Sequence, residues 1–331
     1  MPAESTPSAS GAALRVGDAL ARTTARLRTA GSESARLDAE LLLGSVLGVD
    51  RTTVLAHPDA PIGPGPADAL AHVVERRAAG EPVAYLRGFK EFHGLAITVD
   101  RRVLVPRPET ETLVDLALDR IAAALTAAPR PPDAPRLRIW DAGTGSGAIA
   151  VALAVALRRR RFGGAVHIVA TDASSDALAV AVENLVGHGA ADIVESHHGD
   201  LADARGGLPD GPRVDLVVAN LPYIPTADVV TLPVAASFEP VVALDGGPDG
   251  LDLVRRLLGV LPDVVTPGGS ALLEIGSTQA DAATTAAAEL LPEWSAEVHA
   301  DLSGRPRVLE VRDAAGSANG GAVDAARTMR R

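Results

Sequence analysis

The chain has no cysteine. That excludes disulfides and thiolate metal sites, and it suits a reducing compartment. Aromatic residues make up only 2% of 331 positions, so the core has to be built from alanine, valine and leucine. Lysine occurs once, at Lys90, among 31 basic residues, a bias toward arginine that nothing in a fold requires. Positive charge is in deficit, with a formal net charge of −11. Proteins that live on phosphate backbones present net positive charge, because each contact is a Lys or Arg displacing a counterion. A local basic patch stays open, but direct nucleic-acid binding is not expected. No apolar run reaches about 18 residues, so no spanning helix is expected. Met1 to Gly11, rich in Ser, Ala and Pro, shows neither the basic start nor the apolar stretch of a signal peptide. The expectation is a soluble cytoplasmic protein.

What is present is ordinary globular text, 47% hydrophobic and 22% charged, long enough for one large domain plus a smaller one. From about Ala12 to Gly80 the pattern is helical. Leu37, Leu41, Leu42 and Val46 recur at helix spacing, as do Ala69, Val73, Val74 and Arg77. Val83 to Val105 reads as extended: Tyr85, Phe89 and Phe92 precede Gly94, and Leu95, Ile97 and Val99 alternate after it, suggesting a hairpin. Thr110 to Leu125 resumes a helical period, and Ala127 to Pro135, with four prolines, is a linker or a surface loop.

From Arg136 strand and helix alternate. The expected strands are Leu137–Asp141, Val166–Asp172, Ile193–His197, Val214–Asn220, Ser270–Ile275, Ala296–Leu302 and Val308–Val311. Short apolar runs separated by helices imply an α/β fold with a parallel sheet covered on both faces. The turn Ser303-Gly304-Arg305-Pro306 is too tight for a parallel crossover, so the last two strands should pair antiparallel. That is the outline of a class I, Rossmann-like methyltransferase core.

Two segments carry chemistry. Ile139 to Gly147 is an apolar strand running into the loop Asp141-Ala142-Gly143-Thr144-Gly145-Ser146-Gly147. Glycines there permit positive φ and close approach of a ligand to the backbone. Asp172, ending the next strand, can accept hydrogen bonds from two ribose hydroxyls. A glycine loop alone does not separate a nicotinamide cofactor from S-adenosylmethionine. The spacing G-x-G-x-G differs from the pyrophosphate-binding G-x-G-x-x-G, and an acidic Asp141 suits an ammonium better than a phosphate. Asp200 could accept from an adenine amino group, with Leu201 against the ring.

The second segment, Asn220-Leu221-Pro222-Tyr223, follows the fourth strand, where ligands sit in this fold class. An amide nitrogen is a poor nucleophile because its lone pair is delocalised. Two acceptors holding its two hydrogens would orient it and favour the charge that develops as a methyl bonds. The Asn220 side-chain oxygen is one acceptor and the Leu221 carbonyl the other. Pro222 biases Leu221 away from helical geometry, and Tyr223 can pack on the planar group.

These residues resemble the bacterial release-factor glutamine methyltransferases, the protein-(glutamine-N5) methyltransferase or HemK-like family, from about Ala35 to Val311. Gly80 to Tyr85 with Gly88 to Gly94 is similar to the family's inter-domain hairpin. Val105-Pro106-Arg107-Pro108-Glu109-Thr110-Glu111 resembles its Pro-Arg-Pro-x-Thr-Glu signature, Ala170 to Ser174 its ribose-binding strand end. Phe238-Glu239-Pro240 with Ala243 to Gly247 and Asp249 to Leu251 gives the most specific match.

The resemblance implies a class I methyltransferase core with an antiparallel last strand, plus a small N-terminal helical domain joined by a β-hairpin. With composition and period, it divides the chain into a disordered start at 1–11, a helical domain at 12–80 that the resemblance makes substrate-docking, a hairpin linker at 81–108, the methyltransferase domain at 109–313 and a disordered tail at 314–331. It implies S-adenosylmethionine as methyl donor, peptide chain release factors 1 and 2 as partners, and the glutamine of their Gly-Gly-Gln motif as substrate. Arg107 and Glu111 would shape the pocket. The family's usual tetrapeptide is Asn-Pro-Pro-Tyr. Here Leu221 takes its second position, which preserves the backbone carbonyl. Relatives methylate a ribosomal protein, and Asn-Leu-Pro-Tyr also occurs in enzymes acting on adenine N6, so N5-glutamine methylation of a ribosomal protein and adenine methylation of RNA or DNA are the alternatives. A nicotinamide-dependent oxidoreductase and a non-catalytic docking protein are further competitors. No metal is expected, His197 and His198 lacking a matching cluster. Arg158 to Arg161 read as a solvated helix end, and Asp245 and Asp249 as turn formers.

Overall fold

The computed structural model describes residues 14–127, 131, 134–201, 203 and 205–314. Nearly all of the expected disordered ends and much of the proline-rich stretch from Ala127 to Pro135 lie outside them. The chain divides into two compact units, Met1–Gly88 and Phe89–Arg331.

In the first unit the helices are α1 (Val16–Thr29), α2 (Ala35–Leu47), α3 (Arg51–Ala56), α4 (Pro64–Ala78) and α5 (Val83–Arg87). Local chemistry sets their ends. Gly48 stops α2 in the left-handed region, Asp50 caps α3 by accepting from the Thr53 N–H, and Pro64 opens α4. The buried faces are rotated from the expected ones. In α2 they carry Ala39, Leu42 and Leu43 while Leu37 is 43% exposed, and in α4 Leu70 and Val74 are buried while Ala69 is exposed. A run such as Leu41-Leu42-Leu43 leaves the helical phase ambiguous, and packing decides it. Val83 to Arg87, expected to be extended, is a helix. Five residues between Pro82 and Gly88 are too few for periodicity to distinguish the two states.

The second unit opens with a hairpin of β1 (Phe89–Phe92) and β2 (Leu95–Thr98). His93 and Gly94 form its two-residue turn, with φ of 49° and 71°, the left-handed pair that matches strand twist. Next come α6 (Glu111–Thr126), β3 (Leu137–Ala142), α7 (Ala148–Arg159), β4 (Val166–Asp172), α8 (Ser175–Gly187), β5 (Val194–His198), β6 (Val214–Ala219) and α9 (Thr226–Val229). Then follow α10 (Asp252–Val264), β7 (Val265–Glu274), α11 (Ala280–Leu290), β8 (Trp294–Ala300) and β9 (Pro306–Asp313).

The sheet has seven strands in the order β5-β4-β3-β6-β7-β9-β8. Every pair from β5 to β7 is parallel, and β9 runs antiparallel to both β7 and β8. The expected strands are found with small differences at their ends. β7 is the exception, starting at Val265 rather than Ser270, because Pro267-Gly268-Gly269 disguises its irregular first half. α10 and α11 bury Leu257, Leu261 and Ala283 against the face that carries Trp140, Val217 and Ala271. α6, α7 and α8 pack on one another and cover the other face. As the scarcity of aromatics demands, alanine, valine and leucine fill the interior, with Trp140 and Phe92 the largest fully buried side chains. Among the described residues no helix is long and apolar enough to cross a membrane.

Candidate active site

The strand order fixes where a cleft can open. β3 and β6 are parallel neighbours whose ends are level, Ala142 opposite Ala219, and the chain leaves them toward opposite edges of the sheet. A crevice forms beyond such a switch point. Here it encloses about 190 Å³ and is walled by Gly143 to Ser146, Asp172, Asp200, Leu201 and Asn220 to Pro222. Thus the glycine loop and three residues of the tetrapeptide share one cavity.

The loop is held from below. The Gly143 and Thr144 N–H groups both donate to the Thr171 carbonyl at 2.9 Å, and the Gly145 N–H donates to Asp172 Oδ2 at 2.8 Å. Glycine is required twice for space as well as for torsion. At Gly143, φ is 72° and a Cβ would sit 2.9 Å from the Leu221 Cδ2 methyl. At Gly147, φ is 78° and a Cβ would come within 3.2 Å of the Ala181 backbone on α8. Gly147 caps α7 and does not reach the cavity wall.

Asp141 also lies outside the wall. It is 0% exposed beneath the loop, where its Oδ2 accepts from the Thr144 hydroxyl at 2.7 Å and the Ala150 N–H at 3.2 Å. Its Oδ1 makes no hydrogen bond among the described residues. Burial pushes its carboxyl up to about 7, the two hydrogen bonds opposing and nearby Asp172 adding to the rise. Asp172 does line the cavity. Its Oδ1 accepts from the Ser174 N–H and its Oδ2 from Gly145, leaving each oxygen a further lone pair. Burial raises its pKa against those bonds. Arg102 is the cationic side chain among the described lining residues, and its guanidinium is committed to Asp100 at 2.6 Å. The wall offers carboxylates and backbone, not cations for a pyrophosphate.

Asn220 has a defined orientation. Its Nδ2 donates to Thr110 Oγ1 at 3.0 Å, and its Oδ1 makes no hydrogen bond among the described residues. Behind it, Glu274 at the end of β7 accepts from the Tyr223 hydroxyl at 3.3 Å. Burial and the neighbouring Glu274 push Tyr223 up to about 12. Tyr223 stands behind the wall, not in it.

The backbone of the tetrapeptide is gripped by Gln279 and by the stretch that carried the most specific resemblance. Gln279 Nε2 donates to the Tyr223 carbonyl at 2.9 Å and to the Asp249 carbonyl at 3.2 Å. The Ile224 N–H donates to Leu244 and the Gly246 N–H to Ile224. Gly246 passes so close that a Cβ would lie 2.6 Å from the Pro222 carbonyl oxygen, and a Cβ on Gly250 would collide with that of Tyr223. Asp245 and Asp249 are turn formers, accepting from the N–H groups of Gly247 and Leu251.

Arg107 and Glu111 serve the walls from outside. Arg107 donates to buried Glu239 at 2.6 Å, and Glu239 also accepts from the Val105 N–H at 3.4 Å, so the two loops flanking the cavity are tied together. Glu111 accepts from the His93 N–H at 2.9 Å, fixing the hairpin turn. Neither lines the cavity. Sequence reasoning missed Thr110 and Glu274 as parts of the site, although Thr110 lay inside a quoted motif. It also missed Asn184, 2% exposed on α8, whose amide accepts from the Thr98 N–H and donates to the carbonyls of Thr98 and Ser146 at 2.7, 3.0 and 2.8 Å. No local signal marks it. Its partners are 38 and 86 residues away.

His197 leans on Glu195 and His198 on the Ala173 carbonyl. Glu297, His299 and Glu310 are close enough to share an ion, but Glu310 is saturated by Arg120, Arg312 and His299. Arg158 pairs with Asp192 at the end of α7.

The family model described as the PrmC N-terminal domain matches residues 18–88. The chain is 40% identical to the release factor glutamine methyltransferase of Deinococcus radiodurans over 306 residues, 92% of this chain and 100% of that one. It is 40% identical to the enzyme of the same name from Moorella thermoacetica, over 87% of this chain and 95% of that one. Among solved structures, the release factor-specific protein-(glutamine-N5) methyltransferase of Alicyclobacillus acidocaldarius shares 26% identity, covering 63% of this chain and 94% of that one, with a TM-score of 0.36.

Proposed function

Since the chain belongs to the release factor glutamine methyltransferase family, we propose that it moves a methyl group from S-adenosylmethionine to the amide nitrogen of the Gly-Gly-Gln glutamine in peptide chain release factors 1 and 2. One observation carries the reading. The Asn220 amide is pinned through its nitrogen to Thr110, which leaves its oxygen as the acceptor in a cavity shared with the glycine loop.

The residues fit such a donor. Its sulfonium supplies an electrophilic methyl. Asp172 keeps lone pairs for a ribose diol, Asp200 and Leu201 suit an adenine edge and face, and the loop from Gly143 to Ser146 allows close approach. The orphaned Oδ1 of Asp141 is a buried acceptor fitted to an ammonium, and the one lining arginine, already paired, argues against phosphates. Asn220 Oδ1 and the Leu221 carbonyl would each hold one hydrogen of the glutamine NH2, which orients the nitrogen and favours its developing positive charge. The methylated nitrogen then sheds its proton readily, so no strong base is needed. Arg107 and Glu111 support the pocket walls, and the helices of the first unit serve as the docking surface for the release factor. A cytoplasmic site of action follows from that substrate.

The test is labelled methyl transfer from S-adenosylmethionine to purified release factor. Labelling is expected with wild-type protein, and it should vanish when the motif glutamine is changed to alanine or when the enzyme carries Asn220→Ala. Labelling that survives loss of the glutamine overturns the substrate. Transfer to RNA adenine instead would favour the nucleic-acid alternative.

A further inference from the structure

Glu239 is a buried carboxylate that the proposed reaction does not use. Its side chain is 2% exposed, and each oxygen has a donor. Arg107 Nη2 donates to Oε2 at 2.6 Å, and the Val105 N–H donates to Oε1 at 3.4 Å. Burial pushes this carboxyl up, and the Arg107 charge pulls it back. Beside it the Arg101 guanidinium lies 4.9 Å over the Phe238 ring. Replacing a buried ion pair by apolar side chains is often neutral or stabilising, so stability alone does not account for this one. Fixing a register is the better-attested use of such a pair. The two segments it joins line the active-site cavity, through Leu104 and Pro106 on one and through Pro240, Val242 and Ala243 on the other. Pro106 and Pro240 have no N–H with which to pair main chain to main chain.

The contacts close into a ring that passes through the tetrapeptide. Asn220 Nδ2 donates to Thr110 Oγ1 at 3.0 Å, and the Thr110 N–H donates to the Arg107 carbonyl at 3.1 Å. The Arg107 side chain then reaches Glu239. From Glu239 the chain turns tightly, the Ala243 N–H donating to Pro240 and the Leu244 N–H to Val241, both at 2.9 Å. The Leu244 carbonyl accepts from the Ile224 N–H at 3.0 Å, and Ile224 directly follows Tyr223. The Asn220 side chain is thus anchored to one arc of the ring, and the main chain beyond Tyr223 to the other. Glu239 is where the two arcs meet.

We infer that Glu239 is a positioning residue that closes this frame through Arg107, holding the Asn220 side-chain oxygen and the Leu221 carbonyl in one geometry for the substrate amide. This rests on the reading of those two oxygens as acceptors for the glutamine NH2. Glu239 does not line the cavity, so it acts through the arcs it joins.

The experiment measures kcat and KM on release factor, cofactor affinity and stoichiometry by calorimetry, and melting temperature. The variants are Glu239→Gln, Arg107→Met, Arg107→Lys and the double variant Arg107→Met/Glu239→Met. Glutamine keeps one oxygen and must set its NH2 against either the Val105 N–H or Arg107. Glu239→Gln should therefore lower kcat by about 100-fold, the scale of a misplaced catalytic contact. Cofactor affinity should stay within about threefold, with the wild-type stoichiometry, because the loop that Asp172 holds lies outside the ring. The double variant should melt no lower than wild type, since it buries no unpaired charge, and should still be about 100-fold slow, since its arcs lack the link. Arg107→Lys, which keeps a cationic donor, should be faster than Arg107→Met. Wild-type kcat in Glu239→Gln or in the double variant, Arg107→Lys no faster than Arg107→Met, or a fall in cofactor stoichiometry that matches the fall in kcat would each overturn the inference. A wild-type protein that labels no release factor fails the methylation reading itself, whereas a labelling wild type with any of those results fails this inference alone.

Discussion

Asp141 offers a stability measurement whose sign depends on pH. Its carboxyl is fully buried under the glycine loop, and burial moves it from an ordinary 3.8 up to about 7. A raised carboxyl favours folding while protonated. The stabilisation is complete below pH 3.8 and is lost as pH climbs through 7. The displacement corresponds to about 4 kcal/mol between the two limits. Asp141→Asn stays neutral at every pH, but its NH2 replaces an oxygen that has no partner, which costs about 1–2 kcal/mol. The variant should therefore be less stable than wild type by about 1–2 kcal/mol at pH 4, and more stable by about 2–3 kcal/mol above pH 8. Urea unfolding without cofactor from pH 4.5 to 8.5 reads the crossing. A difference that stays flat across that range refutes the burial argument. The same group reports on the cofactor. If an ammonium reaches the carboxyl, binding favours its ionised form, and at pH 7 about half a proton should be expelled per cofactor bound. Calorimetry in two buffers of different ionisation enthalpy counts that proton, and a count of zero refutes the contact.

Three further outcomes follow from the site. Gly250→Ala, with φ at 80° and its Cβ driven into the Tyr223 carbonyl, should lower kcat by about 100-fold with cofactor affinity largely kept, and full kcat would deny the backbone clamp a role. Asn184→Ala strands three backbone groups and should cost about 3 kcal/mol in urea unfolding while weakening cofactor binding; a loss under 1 kcal/mol would show that water replaces the amide. Gly147→Ala, held at φ of 78° against the α8 backbone, should lower stability by about 2 kcal/mol, visible in melting temperature, and an unchanged melting temperature would mean that the loop relaxes.

The large architecture was legible in the sequence because it rests on period and punctuation. Apolar strands such as Val166–Asp172, glycines after Asp141 and the tight Ser303 to Pro306 turn each signal locally, and together they give a parallel sheet with an antiparallel end. What stayed hidden depends on partners far along the chain. Asp141 read as a carboxylate at the loop, and only the packing of α7 shows it buried beneath the loop with one oxygen unpartnered. Glu111 looked like part of the pocket, and only the folded hairpin brings His93 to it. Thr110, Asn184 and Glu274 are ordinary residues until strand order sets them against Asn220 and Ser146. Val83 to Arg87 failed for a different reason, being shorter than the period that would identify it.

The tetrapeptide is gripped by Gln279, Gly246 and Gly250 through main-chain atoms alone. Such a grip is blind to the side chain at position 221, which is free to drift over evolutionary time as far as those three residues are concerned. The brake comes from across the cavity, where the Leu221 methyl fills the space that a Cβ on Gly143 would need. Position 143 stays glycine whatever stands at 221, because its φ of 72° demands it. The constraint therefore runs one way, and a bulkier side chain at 221 would press on the loop while a smaller one would not.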